Sequence, residues 1–502
     1  MTKRLLVVLS VLFLFGETKA QSNPFAKKLV KVDDYIDSLM KNWNVPGMAI
    51  AIVYKDQLIY GRGYGYRDRD KKLPMEVNTL FPIASNTKLF TATLACLLQQ
   101  KSILNIDQPV TKYTTSIQFY NDELNAKVTT RDLLSHRTGI GRFDGIWGNS
   151  DFTREELVWK TRWMRPVLGF RESYNYNNIM FTTAGYLMER ITGESWEALT
   201  RKMILDPLGM KSTCFTFEEM KKQGNYSLSY YEIDSTKKLA PKSYVAISDA
   251  LGPAGTIKSN IEDMSKWMIA QLNKGMINGK RVFDSTIILQ TLVPNAIADK
   301  EGRWPEQSNS LYCLGRTIQT YKGLKIASHT GSIDGFYSNL SFVPEKQLAV
   351  FAVLNQTEAG SLRPIMNLPI IDILLDQPYT PWLDRARKDY IASKTAEKKF
   401  EDSVEATRVF NTQPSHSLFA YVGEYNNPIY GKINIKLAEG KLSLLFRKQE
   451  SALHHFHYDL FVTKEDKNDL PNFRLKFLTN DKGEIDQIIC APLGDPEVSF
   501  KR

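Results

Sequence analysis

Apolar residues recur at three- and four-residue intervals at Val32, Tyr35, Ile36, Leu39, Met40 and Trp43, the spacing of an amphipathic helix that Pro46-Gly47 ends. Beyond it, Met48–Tyr54 and Leu58–Tyr66 are apolar-rich runs on either side of a tight Lys55-Asp56 turn, which predicts a β-hairpin. A second helix, apolar over most of its circumference, is predicted from about Ser85 to Gln100. The chain from roughly 105 to 275 reads as mostly helical, with capping boxes at Thr153…Glu156 and Ser259…Glu262. Strands return near 311–355, where Tyr337–Val343 and Leu348–Leu354 flank Pro344-Glu345-Lys346-Gln347. Strands on both sides of a helical insert predict an α+β domain whose sheet is split in sequence.

From about 381 to 410 the chain is dense in charge and helical in character, and Gln413-Pro414-Ser415 closes it as a linker. From about 417 the period changes to two: Ile433/Ile435/Leu437, Leu442/Leu444/Phe446, Phe456/Tyr458/Leu460/Val462 and Phe473/Leu475/Phe477, with turns such as Asn480-Asp481-Lys482-Gly483. That alternation predicts a small antiparallel barrel or sandwich. At the other end, Lys3-Arg4, the apolar run Leu5–Phe15 and the small-residue site Thr18-Lys19-Ala20 have the order of a cleavable export signal. The expected organisation is a signal over 1–20, a main domain over 21–376, a linker with a charged helix over 377–416 and a barrel over 417–502.

Composition narrows the class. Hydrophobic residues make up 43% and charged residues 24% of the 502 positions, so a disordered or collagen-like chain is excluded. No stretch after the signal reaches the ~20 apolar residues of a bilayer span, so an exported, periplasmic or secreted protein without stable membrane insertion is expected. The net charge of +10 is mild for this length and reads as interspersed surface charge, with no nucleic-acid motif beside it. Cys96, Cys214, Cys313 and Cys490 lack the spacing of a zinc site and are too sparse for a disulfide scaffold, so neither a metal nor a disulfide is expected.

Ser-x-x-Lys occurs three times, at Ser38…Lys41, Ser85…Lys88 and Ser235…Lys238. The first pair falls on the polar face of the first helix and the third in a polar loop. Ser85 follows an apolar run, Leu80 to Ile83, and opens the apolar helix, so Ser85 and Lys88 share one face of a central element. A lysine desolvated there has its pKa pushed down and can take the serine proton. The competing reading of Ser85 is an N-cap with no chemistry.

Tyr176-Asn177-Asn178 and His329-Thr330-Gly331 follow in that order. Ser-x-x-Lys, Tyr-x-Asn and Lys/His-Thr-Gly resemble the three signatures of the serine β-lactamase and penicillin-binding-protein superfamily, most of all its class C branch with the related esterases and D-aminopeptidases. Val45-Pro46-Gly47, Asp132-Leu133-Leu134-Ser135-His136, Gly252-Pro253-Ala254-Gly255-Thr256 and Asn355 are similar to that family too, over roughly residues 28–376. Tyr337-Ser338-Asn339 and Tyr425-Asn426-Asn427 also match Tyr-x-Asn but fall in other contexts. The resemblance implies an antiparallel sheet flanked by helices, with a helical subdomain. It further implies Ser85 as nucleophile, Lys88 and Tyr176 sharing the proton work, and Asn178 orienting Lys88 and the substrate amide. The Ser85 and Ser332 N–H groups would form the oxyanion hole, with His329, Thr330, Gly331 and Ser332 on the substrate-binding strand.

The implied activity is hydrolysis of an amide or ester through an acyl-enzyme, without metal or cofactor, on a peptide, D-amino-acid amide or small ester. The same residues also suit an acyltransferase, and a penicillin-recognising sensor that acylates once is a third reading. His329 departs from the family's lysine, and a mostly neutral imidazole in place of a fixed cation argues against penicillin hydrolysis. His136 is expected to be a buried hydrogen-bonding residue. His455 and His457 are expected on a strand face opposite Phe456 and Tyr458, as polar-face residues of the barrel. Gly423-Glu424-Tyr425, Tyr430-Gly431 and His457 to Phe461 resemble the lipocalin-like barrel of unassigned function often appended to such hydrolases, either a cap on the site or a spacer.

Overall fold

The computed structural model describes residues 25–233, 236–242, 249–463, 473–492 and 495–502. The N-terminal signal segment and Ser235 of the third Ser-x-x-Lys lie outside them. Among the described residues no helix is long and apolar enough to cross a membrane.

A nine-stranded sheet organises the main domain. Its strand order is Ala296–Asp299, Ser310–Tyr312, Thr317–Tyr321, Leu324–Ile333, Phe336–Val343, Leu348–Leu354, Gly47–Tyr54, Gln57–Asp68 and Leu73–Pro74. The N-terminal hairpin therefore completes a sheet begun by the C-terminal strands, with Ile50 opposite Ala352 and Met48 opposite Leu354. Gly47–Tyr54 is apolar at nearly every position because both its faces are covered. Met48, Ile50 and Ile52 pack with Val32, Ile36 and Leu39 of the helix Ala26–Trp43, while Ala49, Ala51 and Val53 face the cluster around Phe90 and Trp267. Asn355 locks this join. Its Oδ1 accepts from the Gly47 N–H at 2.8 Å, and its Nδ2 reaches Tyr66 O, Leu228 O and Ser227 Oγ.

The helical insert supplies the layer over the second face, with the buried helices Thr87–Gln100, Asn178–Thr192 and Ile261–Leu272 at its centre. The Thr153/Glu156 capping box is present. The one expected at Ser259 is not: Ser259 ends a two-residue strand and bonds Thr213 Oγ1, and Asn260 caps the helix by accepting from Asp263 N–H. Asn accepts as well as Ser at an N-cap, so the helix start slides one residue.

The charged segment is a 24-residue helix, Trp382–Glu405. Its first turns dock through Trp382, the Arg385–Glu306 pair and Arg303–Asp389, and its second half is exposed. The tail is a closed eight-stranded antiparallel barrel from Gly423 to Lys501. Ile433, Ile435, Leu444, Phe446, Leu475 and Phe477 point inward, and Tyr421, Phe461 and Phe477 stack edge to face at 5.0–5.7 Å. The interior is thus packed with aromatic side chains. The expected alternation fails at Leu437, which is exposed at its strand end, and beyond Phe456, where a bulge between His455 and His457 puts Tyr458 in the turn, 56% exposed, and Phe461 rather than Leu460 and Val462 faces inward. His455 Nε2 is bonded to Tyr458 O and His457 Nδ1 accepts from Val409 N–H.

Candidate active site

Ser85 sits in a single 3-10 turn, Ala84–Asn86, that leads into the helix Thr87–Gln100, so the helix proper starts two residues beyond the serine. Ala84 has φ +50°, left-handed backbone that costs a non-glycine residue about 1–2 kcal/mol. Three contacts hold this elbow. Ser338 Oγ donates to Ile83 O at 2.8 Å, Asn86 Nδ2 donates to Ser338 Oγ at 2.8 Å, and Ile83 N–H donates to Ile257 O at 3.0 Å. Gly331 makes the approach of strand to elbow physically allowed, because a Cβ there would overlap Ser338 Oγ and Ile83 O. The glycine of the third signature is explained by that contact.

Lys88 is fully buried, one turn along. Its Nζ is 3.2 Å from Ser85 Oγ and donates to Asn178 Oδ1 at 2.8 Å and to Ala254 O at 2.7 Å. Burial pushes the amine pKa well below its ordinary value, with Asp144 opposing and Arg142 adding to the shift. Tyr176 Oη lies 2.8 Å from the same Ser85 oxygen, and burial pushes its phenol up to about 12. Both shifts favour the uncharged form: the amine gives up its proton more readily than an ordinary lysine, and the phenol keeps its proton at neutral pH. A base and an acid thus flank one hydroxyl.

The residues singled out in the sequence share one cleft of about 790 Å³, which Ser85, Tyr176, Asn178, His329, Thr330 and Ser332 line above the buried Lys88. Ser85 opens the helical segment, where the first N–H groups have no intrahelical acceptor. The other Ser-x-x-Lys pair that is described, Ser38 and Lys41, is exposed on the first helix. Tyr425 is buried inside the barrel with its hydroxyl on Tyr421 O. Tyr337 lies on the strand after Gly331, its hydroxyl on Thr357 O.

Two details add to the expectation. Asn178 donates from Nδ2 to Asp144 Oδ1 at 3.0 Å, so its amide bridges Lys88 to a carboxylate with one amide hydrogen to spare. His329 is 9% exposed and tied at both nitrogens, Nδ1 to Thr330 O at 2.7 Å and Nε2 to Tyr312 Oη at 3.1 Å. Burial takes its pKa down to about 3 with Lys88 contributing, so it is a neutral Nδ1–H tautomer accepting from Tyr312. His136 is fully buried, accepts from Asn177 N–H at 3.1 Å and packs its ring 4.4 Å from that of Tyr176.

Sequence reasoning missed Asp144, the Ala254 carbonyl and Tyr312. Ala254 lies in the Gly252–Thr256 stretch already noted, and Asp144-Gly145 stands among the glycines of 139–148, where an isolated acid was the available signal. Among the described residues no cluster of three His, Cys, Asp or Glu side chains is placed to hold a metal. All four cysteines are buried and free.

A serine, a desolvated lysine and a tyrosine converging beside an inner strand, Leu324–Ile333, of an antiparallel sheet flanked by helices define a serine hydrolase with the β-lactamase fold. The chain belongs to the β-lactamase family, whose model matches residues 32–374, and residues 407–502 match a domain of unknown function, DUF3471. An unguisins hydrolase of Aspergillus campestris is 26% identical over 465 residues, covering 88% of this chain and 83% of its own. Protein flp of Staphylococcus aureus is 25% identical over 357 residues, 68% of this chain and 66% of its own. Among solved structures, the octameric penicillin-binding protein homologue from Pyrococcus abyssi superposes with a TM-score of 0.62 at 22% identity, over 94% of this chain and all of that one. The D-amino acid amidase of Ochrobactrum anthropi superposes with a TM-score of 0.59 at 21% identity, over 72% of this chain and all of that one.

Proposed function

We propose that this serine hydrolase is exported and cleaves an amide or ester bond, of a peptide, D-amino-acid amide or small ester, through an acyl-enzyme on Ser85. The carrying observation is the pairing of a buried, desolvated amine and a protonated phenol on a single serine oxygen. Ser85 Oγ attacks the carbonyl carbon as its proton passes to Lys88 Nζ. Tyr176 Oη gives its proton to the leaving nitrogen or oxygen as that bond breaks, and recovers one from the Lys88 ammonium. Water then attacks the ester carbonyl as the free amine takes its proton, and the Lys88 ammonium returns that proton to the departing Ser85 Oγ. The D-amino acid amidase, by its name, acts on amides, which supports placing amides first, and the unguisins hydrolase is by its name a hydrolase. A neutral His329 supplies no fixed charge for a β-lactam carboxylate, so β-lactam turnover is expected to be poor.

Intact-mass trapping with a panel of D-amino-acid amides, small esters and β-lactams tests the assignment. Wild-type protein should carry the acyl group of an amide or ester, and Ser85→Ala should carry none and lose fluorophosphonate labelling. Labelling retained in Ser85→Ala would refute the site. Export is tested by the mass of the protein recovered outside the cytoplasm, which should begin at Gln21.

A further inference from the structure

The barrel contributes none of the residues named in the cleft wall, yet two of its side chains grip the loop that carries Asp144. Arg447, in the turn between the barrel strands Lys441–Phe446 and Gln449–His457, donates from its two terminal nitrogens to Gly148 O and Gly145 O. Asp495 accepts from the Gly145 N–H at 2.8 Å and from Tyr430 Oη at 2.9 Å, and is itself buried. The same loop is two hydrogen bonds from Lys88: Asp144 Oδ1 accepts from Asn178 Nδ2, whose amide oxygen accepts from Lys88 Nζ, and also accepts from Trp147 Nε1 at 3.1 Å. Gly145 is shaped for this grip, since a Cβ there would lie 2.7 Å from both Asp495 Oδ2 and Pro492 O.

Arg447 is an expensive choice for mere packing. Its Nε is sealed from solvent without a partner, and burial lowers the guanidinium to about 10. Among the described residues it makes no ion pair, and its hydrogen bonds go to loop carbonyls. A cation desolvated against a neighbouring domain's backbone opposes docking unless its hydrogen bonds to the loop carbonyls compensate, so the contact depends on those bonds.

We infer that Arg447 and Asp495 are positioning residues: the barrel clamps the 144–148 loop so that Asp144 holds Asn178 against Lys88, and the tail domain is part of the active-site framework. The inference rests on the proposed roles of Ser85 and Lys88. Besides Asp144, the titratable and charged groups facing Lys88 are Tyr176, His136, His329 and Arg142. None of them is held by the barrel, and of these four only Arg142, paired to Asp144 through Nε at 2.7 Å, is coupled directly to the clamped carboxylate.

The test compares full-length wild type, Arg447→Met, Arg447→Lys and Gly145→Ala in two assays: the fluorophosphonate acylation rate of the protein against pH, and the rate of trypsin cleavage after Arg142. Arg447→Met and Gly145→Ala should acylate about tenfold or more slowly at full final stoichiometry. Their acid limb should move to lower pH as Lys88 loses its anion, and cleavage at Arg142 should be at least severalfold faster. Arg447→Lys should recover part of both. Wild-type acylation rate, pH limb and cleavage rate in Arg447→Met would overturn the inference. So would a fall in stoichiometry alone, with the surviving fraction unchanged, because that is a folding defect. If wild type fails to label at Ser85 while loop protection still depends on Arg447, the functional proposal fails and the clamp stands.

Discussion

Replacing Asp144 by asparagine separates charge from geometry in the lysine's network. The carboxamide oxygen can still accept from Asn178 Nδ2 and Trp147 Nε1, the two bonds Asp144 Oδ1 now makes at 3.0 and 3.1 Å, so Asn178 keeps its place. What disappears is one negative charge two hydrogen bonds from Lys88 Nζ. With the charge centres about 7 Å apart and an effective dielectric of about 20, the attraction is about 2.4 kcal/mol. Arg142 lies on the other carboxylate oxygen, with its Nε at 2.7 Å, and its repulsion of Lys88 is present with or without the Asp144 charge. The lost attraction alone corresponds to about 1.8 pH units. The sign follows from the charge: Asp144 stabilises the ammonium, so its loss lowers the Lys88 pKa further and widens the range in which the free amine exists. The acid limb of kcat/KM for a neutral ester should therefore move down by about 1–2 pH units in D144N, with the plateau changed less than threefold. A limb that stays put, or moves up, would refute Lys88 as the group whose protonation stops acylation.

Further outcomes follow from the same geometry. His136 and His329 are buried neutral, with pKa values below that of an unfolded histidine. Stability from each is complete above about pH 6.5 and is lost as pH falls, by about 1.4 kcal/mol per unit per histidine until the folded value is reached. Chemical denaturation at pH 7, 6 and 5 should show that slope, and His329→Gln should remove one histidine's share; a flat profile would count against both. Gly331→Ala should cost over a hundredfold in acylation because its Cβ drives the strand off Ile83 O and Ser338 Oγ, and a wild-type rate would refute the close approach. Asn355→Ala strands the Gly47 N–H and removes three further hydrogen bonds, so unfolding free energy should drop by about 3 kcal/mol, read from urea melts. His329→Lys should raise acylation by carboxylate-bearing substrates relative to neutral ones, and an unchanged ratio would count against neutrality at that position as a determinant of specificity.

The parts of this molecule that were legible from its residues are those governed by local chemistry. The alternation of Ile433/Ile435 and Leu442/Leu444/Phe446 marks inward strand faces because a barrel core admits every second side chain. The hairpin around Lys55-Asp56, the split sheet and the buried helix after Ser85 follow from periodicity in the same way. Ser85, Lys88, Tyr176 and His329 stood out through order and context along the chain. Asp144 did not, because its role depends on which loop meets Asn178, and the loop around it has no period to read. The Ser259 cap slid to Asn260 and Tyr458 fell into a turn because caps and bulges are decided by one residue's backbone, below the resolution of a periodic pattern. Gly145 shows where the boundary lies. Taken alone it is one of several glycines in a loop, compatible with any turn. Only with Asp495, Pro492 and Tyr430 brought against it from a domain some 300 residues later does the absence of a Cβ acquire a cause.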